Sequence, residues 1–562
     1  SESSNLDVQG GSLHMDVTDE NPYLLSPVFK QDLSLKNMLS INMKNQTNAT
    51  QFKISWITEE DQKWDDEKSK LFDVAFSDRF RTIDFSFADN PLWQGTLKQF
   101  RIEPLVDGDD GKIEINQIEI DYAPVEIVDY YGTINESVIT ENESIRIQGV
   151  VNQEYINNNK NAQLLLYELQ PYESKQQDWS ELTPISEQPI SQVFTFESPL
   201  VSGEDNRLYS KFVAVLKNEQ GDYDLVDDAK YLTNPEIVGE NNFPFPEAES
   251  KKGIQVHMTD DAEELGISHA ALNVAYDQML YRSNSNPDNT IEYEFEGETF
   301  YFKKNYVQGL DSQIKSLSDN DMIVSLILIM YNTGMTEETP NEFLIHPDSE
   351  PGGTVYAVNT TNEIGVKYYS AITNFLAERY TREDEKYGHA VNYIVGNEVG
   401  QNKVWNNMGP KLVWDYVDEY ARTLRLTNTI VKSNYANART YISLDHFWDE
   451  NIASDSMWKY DNKKIIDLLN EEIKSQGDIP WHVAFHPYPQ NLFEPRFWND
   501  EKATDDFNAD VITFKNLQVL PEYMNQEDYL YEGSPRRIIL SEQGFHSGDN
   551  SLEAQKVQAA AY

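Results

Sequence analysis

Two glutamates, Glu398 and Glu542, each directly follow a short strand-like run, 391–396 for the first and 537–540 for the second. A carboxylate in that position is costly unless it is paired or used. Two carboxylates facing across a sugar-sized gap suit the cleavage of a glycosidic bond. One, protonated, gives its proton to the leaving oxygen. The other, ionised, attacks or stabilises the oxocarbenium-like centre.

Stepping along the chain shows what must hold them. From 253 onward, short apolar runs alternate with amphipathic helical segments, the pattern of βαβ units. The runs are 254–258, 270–274, 322–331, 391–396, 440–444, 482–485 and 537–540, with helices such as 366–380, 412–427 and 463–475 between them. Seven units in order predict a (β/α)8 TIM barrel. In such barrels the active site sits at the C-terminal strand ends. Those ends are polar or aromatic: His257, Asn273, Tyr331 with Asn332, Asn397 with Glu398, Asp445 to Trp448, His486 with Tyr488, and Glu542 with Gln543. Glu398 and Glu542 fall on strands four and seven, opposite sides of a barrel mouth.

The remaining mouth residues are expected to bind substrate. His446, His486 and Tyr488 would meet hydroxyls or tune a carboxylate. Trp405, Trp448 and Trp498 follow strands four, five and six, where indole faces can stack on sugar rings. His482 and His486 lie four apart, which on a helix would suggest zinc; here 481–485 reads as a strand with His482 lower in the barrel, and with Asp445 and His446 nearby a metal site is left open as the lesser alternative. The reading expects an eighth unit from beyond Tyr562 or from another polypeptide.

Upstream, residues 1–122 read as alternating strands of a β-sandwich, clearest at 52–56, 82–87, 97–102 and 112–120. Trp56 and Trp93 are expected in its core rather than on glycan. Asp107, Asp109 and Asp110, with Gly108 and Gly111, read as an acidic hairpin turn with calcium as the alternative. Residues 123–250 form a second, immunoglobulin-like sandwich with strands at 144–151, 162–169, 192–196 and 211–217, ending in a Pro-containing linker at 241–252. The third region is the barrel, 251–562.

The chain has 562 residues, 45 basic and 95 acidic side chains, and a formal charge of −50. Such a surface repels phosphate backbones and anionic membranes but accepts a neutral polysaccharide. There is no cysteine, which removes disulfides, thiol catalysis and cysteine-bound metals. The longest apolar run, 322–331, is far short of the roughly 20 residues of a membrane helix.

Asn397-Glu398 at the end of strand four and Glu542 at the end of strand seven resemble the motif of the clan A glycoside hydrolases. The resemblance covers roughly 253–546. It implies that Glu398 is the acid/base, that Asn397 holds a sugar hydroxyl beside the scissile bond, and that Glu542 is the nucleophile of a retaining mechanism. The sandwiches resemble the accessory and carbohydrate-binding modules of such enzymes, most closely from Trp93-Gln94-Gly95 to Ile113-Glu114-Ile115. The layout as a whole resembles a bacterial family of the same superfamily without an assigned substrate. The expectation is a secreted or cell-surface enzyme on a β-linked glycan, needing no cofactor beyond possible structural calcium. Two other readings stand beside it: a non-catalytic carbohydrate-binding protein on a barrel scaffold, and a metal-dependent hydrolase.

Overall fold

The computed structural model describes the chain apart from residues 1–3, 10, 11, 18–21, 35, 79, 89, 106–110, 123–128, 176, 204, 334, 335, 337 and 453–455. It divides into two compact units, Ser1–Ile127 and Val128–Tyr562.

In the first unit, two antiparallel sheets each expose one polar face and bury one apolar face. One sheet runs Ser4–Gln9, Ser12–Val17, Gly111–Asp121, Met38–Thr47, Arg81–Ser86. The other is built on Gln51–Thr58 and Thr96–Leu105, flanked by Leu24–Leu25 and Ser69–Asp73. The alternation seen in the sequence is realised: Ile113 and Ile115 are buried, with Glu114 between them on the outer face holding Lys44 at 2.9 Å. Trp56 and Trp93 are both core residues. Their indole N–H groups donate to the carbonyls of Leu92 and Lys36. The acidic turn Asp107, Asp109, Asp110 lies outside the described residues.

The second unit opens with a small sandwich. Gly132–Ile139, Ser144–Val151 and Val193–Pro199 form one sheet. Gln163–Leu169 and Lys211–Lys217 centre the other. Its last strand docks on the following domain, where the Tyr231 N–H donates to the Gln476 carbonyl and the Arg425 guanidinium lies over the Tyr231 ring. The segment expected as a linker is packed, not a free tether. Phe243 stacks on Tyr435 at 4.2 Å and the Arg439 guanidinium lies 3.3 Å from the Phe245 ring centre.

Seven parallel strands then follow in chain order in one sheet: β1 (Gly253–Gln255), β2 (His269–Ala275), β3 (Ile323–Ile329), β4 (Ala390–Val395), β5 (Arg439–Leu444), β6 (Trp481–Phe485) and β7 (Ile538–Leu540). Side-chain alternation divides the strands into two faces. Leu272, Val274, Val324, Leu326, Ile442, Leu444, Val483 and Phe485 turn outward into the cores made with helices Glu363–Tyr380, Val413–Asn434 and Asn462–Ser475. Each such burial is worth roughly 1.5–3 kcal/mol. Ala271, Ile327, Ile329, Ile394, Tyr441 and Ala484 gather on the inner face. This is a TIM-barrel-like curl of seven strands. An insertion absent from the sequence reading, the antiparallel strands Thr290–Phe295 and Glu298–Lys303, follows β2.

Candidate active site

β4 ends in a tight turn. Gly396 adopts φ 75°, where a Cβ would come 2.9 Å from Asn406 Oδ1. Glu398 itself sits at φ 41°, left-handed backbone that non-glycine residues rarely adopt. Such a conformation costs on the order of 1–3 kcal/mol and persists only where its surroundings impose it. Here β5 imposes it: the Glu398 N–H donates to Ser443 Oγ at 3.1 Å and the Val399 N–H to the Ser443 carbonyl at 3.0 Å. The Glu398 carbonyl accepts from the Gln401 N–H at 2.8 Å. The turn thus aims the Glu398 side chain over the barrel mouth.

His486 and Glu542 arrive there from the ends of β6 and β7. His486 Nδ1 lies 2.9 Å from Glu398 Oε1 and 4.0 Å from Glu542 Oε2. One atom from each of the three side chains lies within 4.8 Å of the others. The Tyr488 hydroxyl donates to Glu542 Oε1 at 2.8 Å. Burial first, then the charge of Glu542, pushes the Tyr488 hydroxyl far above the ordinary phenol range, so it stays a donor. Glu542 is the more open carboxylate, with a side chain 30 % exposed against 13 % for Glu398.

Other expected residues converge on the same mouth. The Asn273 side chain, near the Tyr331 hydroxyl, accepts from Gln255 Nε2 at 2.9 Å. Burial raises the Tyr331 proton affinity, and the Glu542 charge adds to it. Tyr331 and Trp405 both pack against the inner-face cluster, partly exposed. His446 is buried, and burial lowers its pKa to about 4, so it is neutral near pH 7. Asn397 and Gln543 are half-buried beside the two glutamates, and the buried Gln543 Oε1 has no hydrogen-bond partner among the described residues. His257 and Asn332 lie exposed beyond their strands.

Two expectations are corrected. Trp448 is fully buried and its indole N–H donates to the Phe507 carbonyl at 2.9 Å, so it anchors a loop and presents no face to a sugar. His482 does not join His486. Its Nδ1 accepts from the Arg537 N–H at 3.1 Å at the opposite end of the strands.

The sequence placed Asp445 at the end of strand five but not the side chains that hold it. Asp445 is buried and held by Gln401 Nε2 at 2.7 Å, by the Phe447 N–H at 3.2 Å and by Asn462 Nδ2. Burial, then the nearby Glu398 charge, raises its proton affinity well above the ordinary carboxylate range. Gln401 therefore ties the Glu398 turn to a buried acid on β5. Gln401 stands in a polar turn and Asn462 at the first position of a helix, and neither place carries a periodic signal that marks a support role.

A parallel-strand barrel-like domain with a paired carboxylate site at the C-terminal strand ends defines the class of protein. The chain belongs to a family of unknown function, DUF5722, whose model matches residues 244–562. No curated protein matches it. Among solved structures it is similar to the glycoside hydrolase domain of Endo-D from Streptococcus pneumoniae, at 15 % identity and a TM-score of 0.18 over 40 % of this chain. That match spans only 34 % of the Endo-D chain. It is also similar to the family 1 β-glucosidase of Thermotoga maritima, at 11 % identity and a TM-score of 0.29 over 54 % of this chain and 71 % of that one. The family 11 carbohydrate-binding module of a Clostridium thermocellum cellulase matches at 13 % identity and a TM-score of 0.18, over 22 % of this chain and 84 % of that one. At such distances the chemistry has to be read from the site itself.

Proposed function

We propose that this protein is a retaining glycoside hydrolase in which Glu398 is the acid/base and Glu542 the nucleophile. The observation that carries the reading is the separation of the pair: an oxygen of each carboxylate lies within 4.8 Å of the other. Retaining enzymes hold their two carboxyl groups about 5–5.5 Å apart, whereas inverting enzymes need roughly 6.5–9.5 Å to admit a water between them.

The roles follow from the surroundings. Tyr488 donates to Glu542, which supports a carboxylate anion there. Glu398 shares a hydrogen bond with His486 Nδ1 and sits in the drier position. In the first step Glu398 gives its proton to the glycosidic oxygen as that oxygen leaves. A Glu542 oxygen bonds the anomeric carbon, forming a glycosyl ester. In the second step Glu398 takes a proton from water. The water oxygen bonds the anomeric carbon and the Glu542 carboxylate is released.

The substrate in this reading is a β-linked polysaccharide or oligosaccharide. Tyr331, Asn273, Asn397, His446, Gln543 and Trp405 contact its hydroxyls and ring faces. The N-terminal sandwich assists on extended chains, and the enzyme works at the cell surface or outside it. The test is trapping: a panel of 2-fluoro glycosyl fluorides of different sugars should add one glycosyl mass, mapped by peptide sequencing to Glu542. A panel that labels nothing, or labels elsewhere, counts against the assignment. A screen of polysaccharides with reducing-end detection then names the glycan.

One observation favours a second reading. The grouping of Glu398, His486 and Glu542 within 4.8 Å is also compact enough to hold a divalent ion. The metal-dependent hydrolase therefore stands as the runner-up, with these three ligands rather than His482.

A further inference from the structure

The other end of the barrel holds a cavity of about 380 Å³ lined by residues from the first halves of the strands or just before them: His269, Ile323, Asn392, Arg439, Arg537 and Ile539, among others. The packed segment 245–248 closes one side. This end is basic in a chain whose formal charge is −50. Of its arginines, Arg536 is paired with Asp478 at 2.8 Å. Arg439 and Arg537 enter no ion pair among the described residues. One face of Arg439 is covered by the Phe245 ring, which leaves the in-plane N–H donors as its polar edge. Glu247 is the one acidic residue lining the cavity among the described residues, and it is exposed.

His482, beneath the cavity, has its pKa lowered to about 3, by burial first and then by the charges of Arg439, Arg536, Arg537 and Lys432. Its Nδ1 accepts from the Arg537 N–H, so the neutral ring carries its proton on Nε2. Every polar side chain lining the cavity other than Glu247 is therefore cationic or can donate.

The geometry points to a binding site at the N-terminal end of the barrel strands for a small sugar-sized molecule carrying one carboxylate, sulfate or phosphate group. Guanidinium forks match the oxygens of such groups in bidentate fashion. The cavity is far larger than an inorganic oxyanion. Phe245, Ile323 and Ile539 supply apolar surface for a ring, and His269, Asn392 and Tyr441 supply partners for hydroxyls. The site is separate from Glu398 and Glu542, which lie at the opposite strand ends, and the inference does not depend on the glycosidase reading.

Calorimetric titration and thermal shift on the full chain test it. The probes are glucuronate, glucose 6-sulfate and glucose 6-phosphate, with glucose and inorganic phosphate as controls. At least one charged sugar should bind in a 1:1 ratio with a Kd of about 1 mM or tighter, weakening as salt is added. The probe that binds identifies the oxyanion. Arg439→Gln and Arg537→Gln should each weaken it about tenfold or more, while Glu542→Gln leaves it unchanged. Arg537 is exposed, so Arg537→Gln decides the matter if Arg439→Gln fails to fold. The inference is overturned if none of the charged sugars binds, or if binding survives both arginine substitutions. It is equally overturned if glucose or inorganic phosphate binds as tightly as the charged sugars.

Discussion

His486 Nδ1 lies 2.9 Å from Glu398 Oε1, so a buried imidazole and a half-buried carboxyl share one hydrogen bond over the barrel mouth. In the proposed mechanism this contact keeps the Glu398 carboxyl aimed at the leaving oxygen. His486→Asn should lower kcat/KM about a hundredfold on a natural glycan, whose alkoxide leaves poorly and needs the proton. Aryl glycosides with good leaving groups should be affected much less. An equal loss on both substrates would mean that His486 acts on folding or on binding, not on proton donation.

Glu542→Gln should remove nearly all turnover while leaving the melting temperature close to that of the parent. Glu398→Gln should be rescued in part by azide, giving a glycosyl azide of retained configuration. Tyr488→Phe removes the donor to Glu542 Oε1 and should cost about ten- to a hundredfold in kcat. NMR of the first-formed product reads the outcome. An inverted anomeric centre would sink the retaining assignment.

Asp445 makes a prediction about pH and stability. Its folded-state pKa is raised by burial and by Glu398, above the unfolded value of about 3.9. The folded protein therefore holds this proton more tightly than the unfolded chain. The stability linked to it is fully present below about pH 4 and is lost as pH rises through the folded value. Asp445→Asn keeps the shape without the titration, so it should flatten that part of the stability curve. Thermal melts of both proteins across pH 4 to 8 should show the variant gaining on the parent as pH rises. Parallel curves would place the charge elsewhere.

The two tryptophans after β4 and β5 should behave differently. Trp448 is fully buried, so Trp448→Ala should destabilise by about 3–5 kcal/mol. Trp405 is partly exposed beside Tyr331 at the mouth. Trp405→Ala should raise KM on an oligosaccharide with a small change in melting temperature. Denaturant titration and steady-state kinetics together separate the two roles.

Dialysis against a chelator decides between the two functional readings. With two carboxylates performing the chemistry, activity should survive EDTA and added divalent ions should leave it unchanged. Loss of activity on chelation, restored by zinc or manganese, would favour Glu398, His486 and Glu542 as metal ligands.

The strand order of the barrel-like domain was legible because buried parallel strands are continuous apolar runs. All seven runs overlap strands of one sheet, the first of them, 254–258, only at Ile254 and Gln255. The antiparallel insertion Thr290–Phe295 and Glu298–Lys303 alternates apolar and polar residues around Glu296-Gly297, a local hairpin signal that a reading of continuous apolar runs passes over. His482 lies lower in the barrel than His486, as its place in a strand predicts. In a strand each residue advances about 3.3 Å, so four positions separate the two by roughly 13 Å, from one end of the barrel to the other.

By itself the sequence determined which residues stand at strand ends, because apolar periodicity and its interruption are local properties of the chain. It therefore placed Glu398, His486, Tyr488 and Glu542 at one mouth. Only the tertiary structure decided their distances, because these depend on how β4 to β7 curl around a common interior. The same holds for the left-handed turn that Ser443 imposes on Glu398 and for the inward turn of Trp448 toward Phe507. It holds too for the gathering of Arg439 and Arg537 around one cavity. Each of these contacts joins residues far apart in the chain, and no local pattern encodes a distance between strands that meet only after folding.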